Sequence, residues 1–369
     1  MPWTKVYSNR EEFEKTLAAD KGLRGLTYRE ALNEALSQVM EADRSVFVMG
    51  EGVDDVGGVF GTTKGLCERF GRGRVIDTPL AENGITGVAA GAALAGMRPV
   101  LVHMRVDFIP LSLDQIINHA AKWHYMFGGA VKVPLTIRAI IGRGWGSAAQ
   151  HSQSLQGLLT HVPGLKVVMP ATPYDAKGLL VSSIYDDNPV IMIEHRWLYE
   201  HVGHLPSEVY TVPLGKGIVR RSGGDVTIVA VSYMVYEAVK AAEELSEEGI
   251  ECEVVDLRTL KPMDAEIVLD SVKKTGRLVV ADTGWRECGF SAEVLSKVFE
   301  DAETFNELKA PAVRVALPDV PTPASPVLEE AFYPGSIDIV EAVKKVFTHS
   351  KGECIKEASG KYRTCDHAT

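Results

Sequence analysis

Residues 77–126 read DTPLAENGITGVAAGAALAGMRPVLVHMRVDFIPLSLDQIINHAAKWHYM. Glu82 stands between Pro79 and a run of glycine and alanine, so a carboxylate opens a stretch where other groups can approach the backbone closely. The small, apolar segment Ile85–Leu94, with Gly84, Gly87, Gly91 and Gly96 in and around it, predicts a helix with a close neighbour. That neighbour is either another part of this chain or a second subunit. Pro99–Met104 predicts a strand, and Leu113–Met126 a helix with Ile116, Ile117, Ala120, Ala121 and His124 on one side. A second unusual segment, GRGWGSAAQHSQS at 142–154, follows a predicted strand at 134–141 and supplies His151. Glu82 and His151 are expected to face one site.

Upstream, Thr27 caps a predicted helix with Ala31, Leu32, Ala35, Leu36 and Val39 at helical spacing, and SVFVMG at 45–50 is a short apolar strand. Val75-Ile76 is the next strand, leading into the Glu82 turn. Downstream come strands at 166–169 and 189–194 around the turn and helix PATPYDAKGLLVSSIYD. This alternation predicts a parallel sheet covered by helices. Ligands of such sheets bind beyond the carboxyl ends of the strands, which makes Glu51, Gly52, Gly57 and Gly58 a candidate wall.

With 369 residues the chain is long enough for two domains. Residues 1–25 read as an N-terminal extension and 26–205 as the first α/β domain. Residues 206–224, which include the hairpin-like PLGKGIVRRSGG, read as a linker, 225–348 as a smaller second α/β domain, and 349–369 as a polar tail. The Pro-rich PDVPTPASP at 318–326 excludes helix interior. A net charge of −10 argues against nucleic acid or anionic membranes as partners. No apolar run reaches the ~20 residues of a membrane span, and the polar N-terminus lacks a signal core. Five scattered cysteines without a CxxC pair fit a reducing cytoplasm.

The ordered pieces GEGV, GGVFGTTKGL, RVIDTPLAENGI, GMRPV, LDQIINHAAKWHYMFGG, QHSQS, PGLKVVMPATPYDAKGLL, DDNPV, EHRWLY, DLRTLKPMD and ADTGW run from Gly50 to Trp285, within a likeness that covers roughly residues 26–348. Together they resemble the β subunit of the heterotetrameric 2-oxoacid dehydrogenase E1 component. This is the thiamine diphosphate family of pyruvate, branched-chain and acetoin dehydrogenases, within the transketolase-like superfamily. The resemblance implies a pyrimidine-binding parallel-sheet domain followed by a smaller transketolase C-terminal-like α/β domain. It implies that Glu82 hydrogen-bonds N1′ of the cofactor's aminopyrimidine, that Leu80 receives the 4′-amino group on its carbonyl, and that Phe108 stacks on the ring. His151 is implied at the channel to the reactive carbon, where an imidazole suits proton transfer near neutral pH. Glu51 is a candidate member of a proton path. Backbone oxygens of Leu135, Ser183, Asp186 and Asn188 are implied ligands of a monovalent cation, usually potassium.

Each residue also has a plainer reading. Glu82 can be a carboxylate favoured by a helix dipole, His151 a hydrogen-bonded loop residue, Phe108 core, and Glu51 a surface acid. The family's GDG motif, which binds Mg²⁺ and the diphosphate, is absent, and GGDV at 223–226 lies in the wrong context. The resemblance therefore implies an α subunit that holds Mg²⁺ in an α₂β₂ assembly, and a lipoyl-bearing E2 protein that accepts the acyl group from a 2-oxoacid. His103 and Arg105 make the segment before Phe108 more basic than the family's, Asn83 follows the glutamate, and Arg143 and Trp145 add bulk before His151. Those departures leave open a split transketolase-like ketol transferase or decarboxylase that acts without E2. A silent assembly subunit would be expected to have lost Glu82 or His151.

Overall fold

The computed structural model describes residues 2–7, 10–20, 22–144 and 146–349; Trp145, Cys354 and Cys365 lie outside them. Two sheets are each flanked by helices. The first runs, edge to edge, Thr259–Lys261, Lys166–Val168, Val190–His195, Thr136–Ile141, Arg98–His103, Val46–Gly50 and Val75–Asp77. All neighbours are parallel except the Thr259–Lys261 edge. Its central strands are buried almost throughout, as apolar runs in a sheet covered on both faces should be. The Tyr28–Ala42 helix begins with a capping box in which Thr27 and Glu30 satisfy each other's backbone N–H, and it packs against the Pro173–Tyr185 helix.

The second sheet runs Val313–Leu317, Leu278–Trp285, Val226–Ala230, Cys252–Asp256 and Ile218–Arg221, parallel except at the last edge. The stretch read as a hairpin-like linker is thus partly built into the second domain: Ile218–Arg221 pairs with Cys252–Asp256. Three further elements depart from the sequence expectation. Arg10–Ala19 is helical, with Phe13 buried against Gly25 and His204. The 113–126 helix opens as a π-helical turn at Asp114–Ala120 before continuing as Ala121–Met126. Pro326–Phe332 forms a short helix that starts at the last proline of PDVPTPASP.

The two domains share more than a linker. Thr259–Lys261 follows the second sheet's Cys252–Asp256 strand yet pairs with Lys166–Val168 of the first sheet. Beside it Asp175, near the start of the Pro173–Tyr185 helix, meets Arg220, Asp256 and Arg258 of the second domain. Arg220 Nη2 donates to Asp256 Oδ2 at 2.8 Å, and Arg258 Nη1 to Asp175 Oδ1 at 3.1 Å. Burial alone would raise the Asp175 carboxyl, but the two guanidinium groups outweigh it and hold its pKa below the usual value. The N-terminal extension lies over this joint: Arg220 Nη1 donates to Thr4 O at 3.0 Å, and Trp3 stacks on Tyr174 at 5.8 Å.

Removing Arg220 leaves two buried carboxylates with one guanidinium. Arg220→Met is expected to cost about 3–5 kcal/mol, read from urea unfolding. A change no larger than that of a surface ion pair, below about 1 kcal/mol, would contradict the role given to this cluster.

Candidate active site

Glu82 is the first residue of the Glu82–Leu94 helix, and Ala81 before it gives no side-chain cap. The residue is only 9% exposed, and no described residue donates a hydrogen bond to its carboxylate or pairs with it. The helix N-terminus favours the negative charge there. Gly50 ends the adjacent strand at φ 149°, where a Cβ would lie 2.3 Å from Val102 O, so only glycine lets the chain leave the sheet at this point. Gly52 N–H then donates to Asp77 Oδ1 at 2.7 Å, which ties the loop to the next strand end. Glu51 is half-buried on this loop. Burial, with the nearby carboxylates of Glu82 and Asp77, raises its pKa above the ordinary glutamate value. Glu51 and Glu82 are therefore within electrostatic reach, as the sequence reading needs.

Phe108 lies in the 3₁₀ segment Val106–Ser112, which packs on the Glu82 helix; Thr86 Oγ1 donates to Ser112 Oγ at 3.0 Å between them. The Phe108 ring meets exposed His151 edge-to-face at 5.3 Å. Leu80 is 80% exposed on the same approach. The glycines of the helix divide by direction. A Cβ on Gly87 would touch the Gln115 side chain at 3.4 Å, a close contact within the chain, whereas Gly84 and Gly91 face open space.

The basic character expected at His103 and Arg105 is not delivered to the site. His103 is 1% exposed, with Nε2 3.4 Å from Thr86 Oγ1, and burial pushes its pKa down to about 4, so it is neutral at pH 7. Arg105 is buried; it donates to Gly142 O at 2.7 Å and pairs with Asp107 at 3.5 Å. Asp107, which the sequence reading passed over, accepts Gln153 N–H at 3.0 Å and so fixes the loop after His151. Its position two residues after Arg105 in HMRVDF was the available signal. Arg143 turns away from the site, pairs with Glu329 at 3.2 Å, and lies over the rings of Trp197 and Tyr333.

The four residues assigned to a monovalent cation gather where the Pro173–Tyr185 helix ends. Leu135 O accepts Val190 N–H at 2.9 Å, and Ser183 O accepts Asp186 N–H at 3.3 Å. Arg98 Nη1 donates to Ile184 O at 2.9 Å and Asp186 O at 3.2 Å. Each carbonyl keeps a second lone pair at the negative end of a helix, which fits a singly charged cation, but Asp186 O is shared with a guanidinium. Among the described residues no three His, Cys, Asp or Glu side chains converge on a metal position.

This arrangement, a carboxylate at a helix start beyond a parallel sheet with a second α/β domain closing on its loops, is that of a transketolase-like subunit. The family described as "Transketolase, pyrimidine binding domain" matches residues 24–201, and "Transketolase, C-terminal domain" matches residues 215–339. The chain is 46% identical to the acetoin:2,6-dichlorophenolindophenol oxidoreductase subunit beta of Cupriavidus necator, over 89% of this chain and 99% of that protein. It is 45% identical to the pyruvate dehydrogenase E1 component subunit beta of Rickettsia felis, over 88% and 99%. With the mitochondrial pyruvate dehydrogenase E1 subunit beta of Bos taurus it shares 44% identity over 91% and 94%. A solved structure titled "Split gene transketolase, inactive beta4 tetramer" superposes with a TM-score of 0.70 at 26% identity, covering 88% of this chain and 99% of that one. The chain belongs to the family of acetoin and pyruvate dehydrogenase E1-type β subunits.

His103 is neutral when folded and has an ordinary value near ~6.5 when unfolded. Its contribution to stability is therefore complete above about pH 6.5 and is lost as pH falls toward about 4, because the unfolded chain then binds the extra proton. His103→Asn, which cannot charge, should flatten the fall in the urea midpoint across that window. An unchanged pH dependence would contradict a neutral buried imidazole.

Proposed function

We propose that this chain is the β subunit of a thiamine diphosphate-dependent E1 component, completed by an α subunit, that decarboxylates a 2-oxoacid and passes the acyl group to the lipoyl group of an E2 protein. The observation that carries this reading is Glu82: a nearly buried residue at a helix start whose carboxylate has no partner among the described residues, on a helix that packs against the segment of Phe108. An unpartnered buried carboxylate is costly unless a ligand satisfies it, and an aminopyrimidine nitrogen does so. Thiamine diphosphate, when bound, supplies the carbon nucleophile and the electron sink for decarboxylation.

The chain's own residues hold and move protons around that group. Glu82 would hold a proton toward N1′ of the aminopyrimidine, the Leu80 carbonyl would accept from its amino group, and Phe108 would offer its ring face. Glu51, whose proton is held more tightly than a surface glutamate's, is the next group on a proton path toward Glu82. His151, exposed at the mouth and set against Phe108, exchanges a proton with substrate or acyl acceptor. The carbonyls of Leu135, Ser183, Asp186 and Asn188 would hold potassium and stiffen the helix end. Mg²⁺ and the diphosphate are assigned to the α subunit. A reducing, cytoplasmic setting accords with the free thiols of Cys67, Cys252 and Cys288. No helix among the described residues is long and apolar enough to cross a membrane.

An α subunit on the open side of the site is supported by the surface around it. Leu80, Val88, Leu111, Tyr125, Met126 and Phe127 are all more than half exposed, and the outward Gly84 and Gly91 leave room for a close approach. Apolar exposure on this scale marks an interaction face.

Co-expression with an α-type partner, followed by assays on pyruvate, branched-chain 2-oxoacids, acetoin and sugar phosphates, tests the activity. 2-Oxoacid turnover with lipoyl acceptor is expected; ketol transfer alone would favour the split-transketolase reading. Glu82→Gln should keep the α₂β₂ assembly and lose turnover by at least about a hundredfold, and an active variant would remove Glu82 from its role. Val88→Glu should leave the chain folded and block co-purification with α; intact assembly would displace the interface from this face.

A further inference from the structure

The loop from His151 to Leu155 runs between the two domains and is held from both. Asp107 of the first domain accepts Gln153 N–H. From the second domain, Thr322 Oγ1 and Tyr333 Oη each donate to Ser152 O at 3.4 Å. At the loop's end Gln156, first residue of the Gln156–His161 helix, donates through Nε2 to Asp282 Oδ1 at 2.8 Å. Gln156 is fully buried, and Asp282 is 1% exposed on the long Leu278–Trp285 strand. The pair occupies a space only glycine leaves open: a Cβ on Gly284 would lie 2.8 Å from both Asp282 Oδ2 and Gln156 Nε2.

Asp282 differs from the other buried acids at the domain joint. Asp175 and Asp256 face guanidinium groups, whereas Asp282 faces a carboxamide and no cation pairs with it among the described residues. Burial raises its pKa, opposed by the Gln156 amide that donates to it. Asp282 Oδ2 and Gln156 Oε1 have no further partner. A buried carboxyl that accepts from a buried carboxamide is a directional contact, so it can set the loop's position.

We propose that Asp282, together with Thr322 and Tyr333, is a positioning residue of the second domain that fixes where His151 stands by holding the backbone of residues 152–156. This inference rests on the role given to His151 above. It assigns to the second domain a share in the chemistry through the loop that it holds.

The test is a double-mutant cycle in the assembled α₂β₂ enzyme with lipoyl acceptor. Asp282→Leu should lower kcat roughly ten- to a hundredfold, with KM moved much less. Asp282→Asn, which keeps an oxygen to accept from Gln156 Nε2, should recover most of the rate. In a His151→Ala background Asp282→Leu should cost no more than about twofold further, since the residue it positions is gone. Tyr333→Phe with Thr322→Val, which removes two hydroxyls and no buried carboxyl, should repeat the pattern even if the leucine variant folds poorly. Equal losses with and without His151 would overturn the proposal, as would full activity of both sets of variants. If His151→Ala itself leaves the rate intact, the assignment of His151 fails first and the proposal with it.

Discussion

Asp175, Arg220, Asp256 and Arg258 meet across the domain joint with at most 9% of any side chain exposed. Burying one of these charges alone costs several kcal/mol, so the domains can associate only in the register that pairs all four. That register has consequences on both sides of the joint. It seats Thr259–Lys261 on the edge of the first sheet, and it carries Asp282, Thr322 and Tyr333 to the loop behind His151. It also explains why the N-terminal segment, which has little core of its own, ends up bound: Thr4 O completes the hydrogen bonding of Arg220.

The site itself follows the opposite logic. Where the Asp175 cluster pairs its charges, the Glu82 turn leaves a carboxylate unpartnered among the described residues beside an open apolar face. Cations that could have neutralised it are withheld. His103 is buried neutral, and Arg105 is committed to Asp107 and Gly142 O. A chain built this way holds one end of a ligand and relies on another surface for the rest, in keeping with relatives that are named as subunits.

Much of this is legible in the sequence because it is periodic. The apolar strands and the helices between them announce a parallel sheet, and Glu82 before a glycine-rich helix marks a helix start whatever its function. What is not legible depends on distant partners. Arg10–Ala19 buries only Phe13, too little to set a helical period. Thr259–Lys261 is a strand only because Lys166–Val168 lies beside it. His103 and Arg105 read as basic until burial and Asp107 remove their effect. Asp282 stands within the ADTGW motif, but nothing in the motif reveals that its carboxyl faces Gln156 across 126 positions of chain.

On the function proposed above, this chain carries half of a thiamine site. Isothermal titration of thiamine diphosphate with Mg²⁺ into the isolated chain, and into the chain assembled with its α subunit, tests it most directly. The account predicts negligible binding and no turnover by the chain alone, and tight binding with turnover once α is present. Tight binding and turnover by the isolated chain would contradict it.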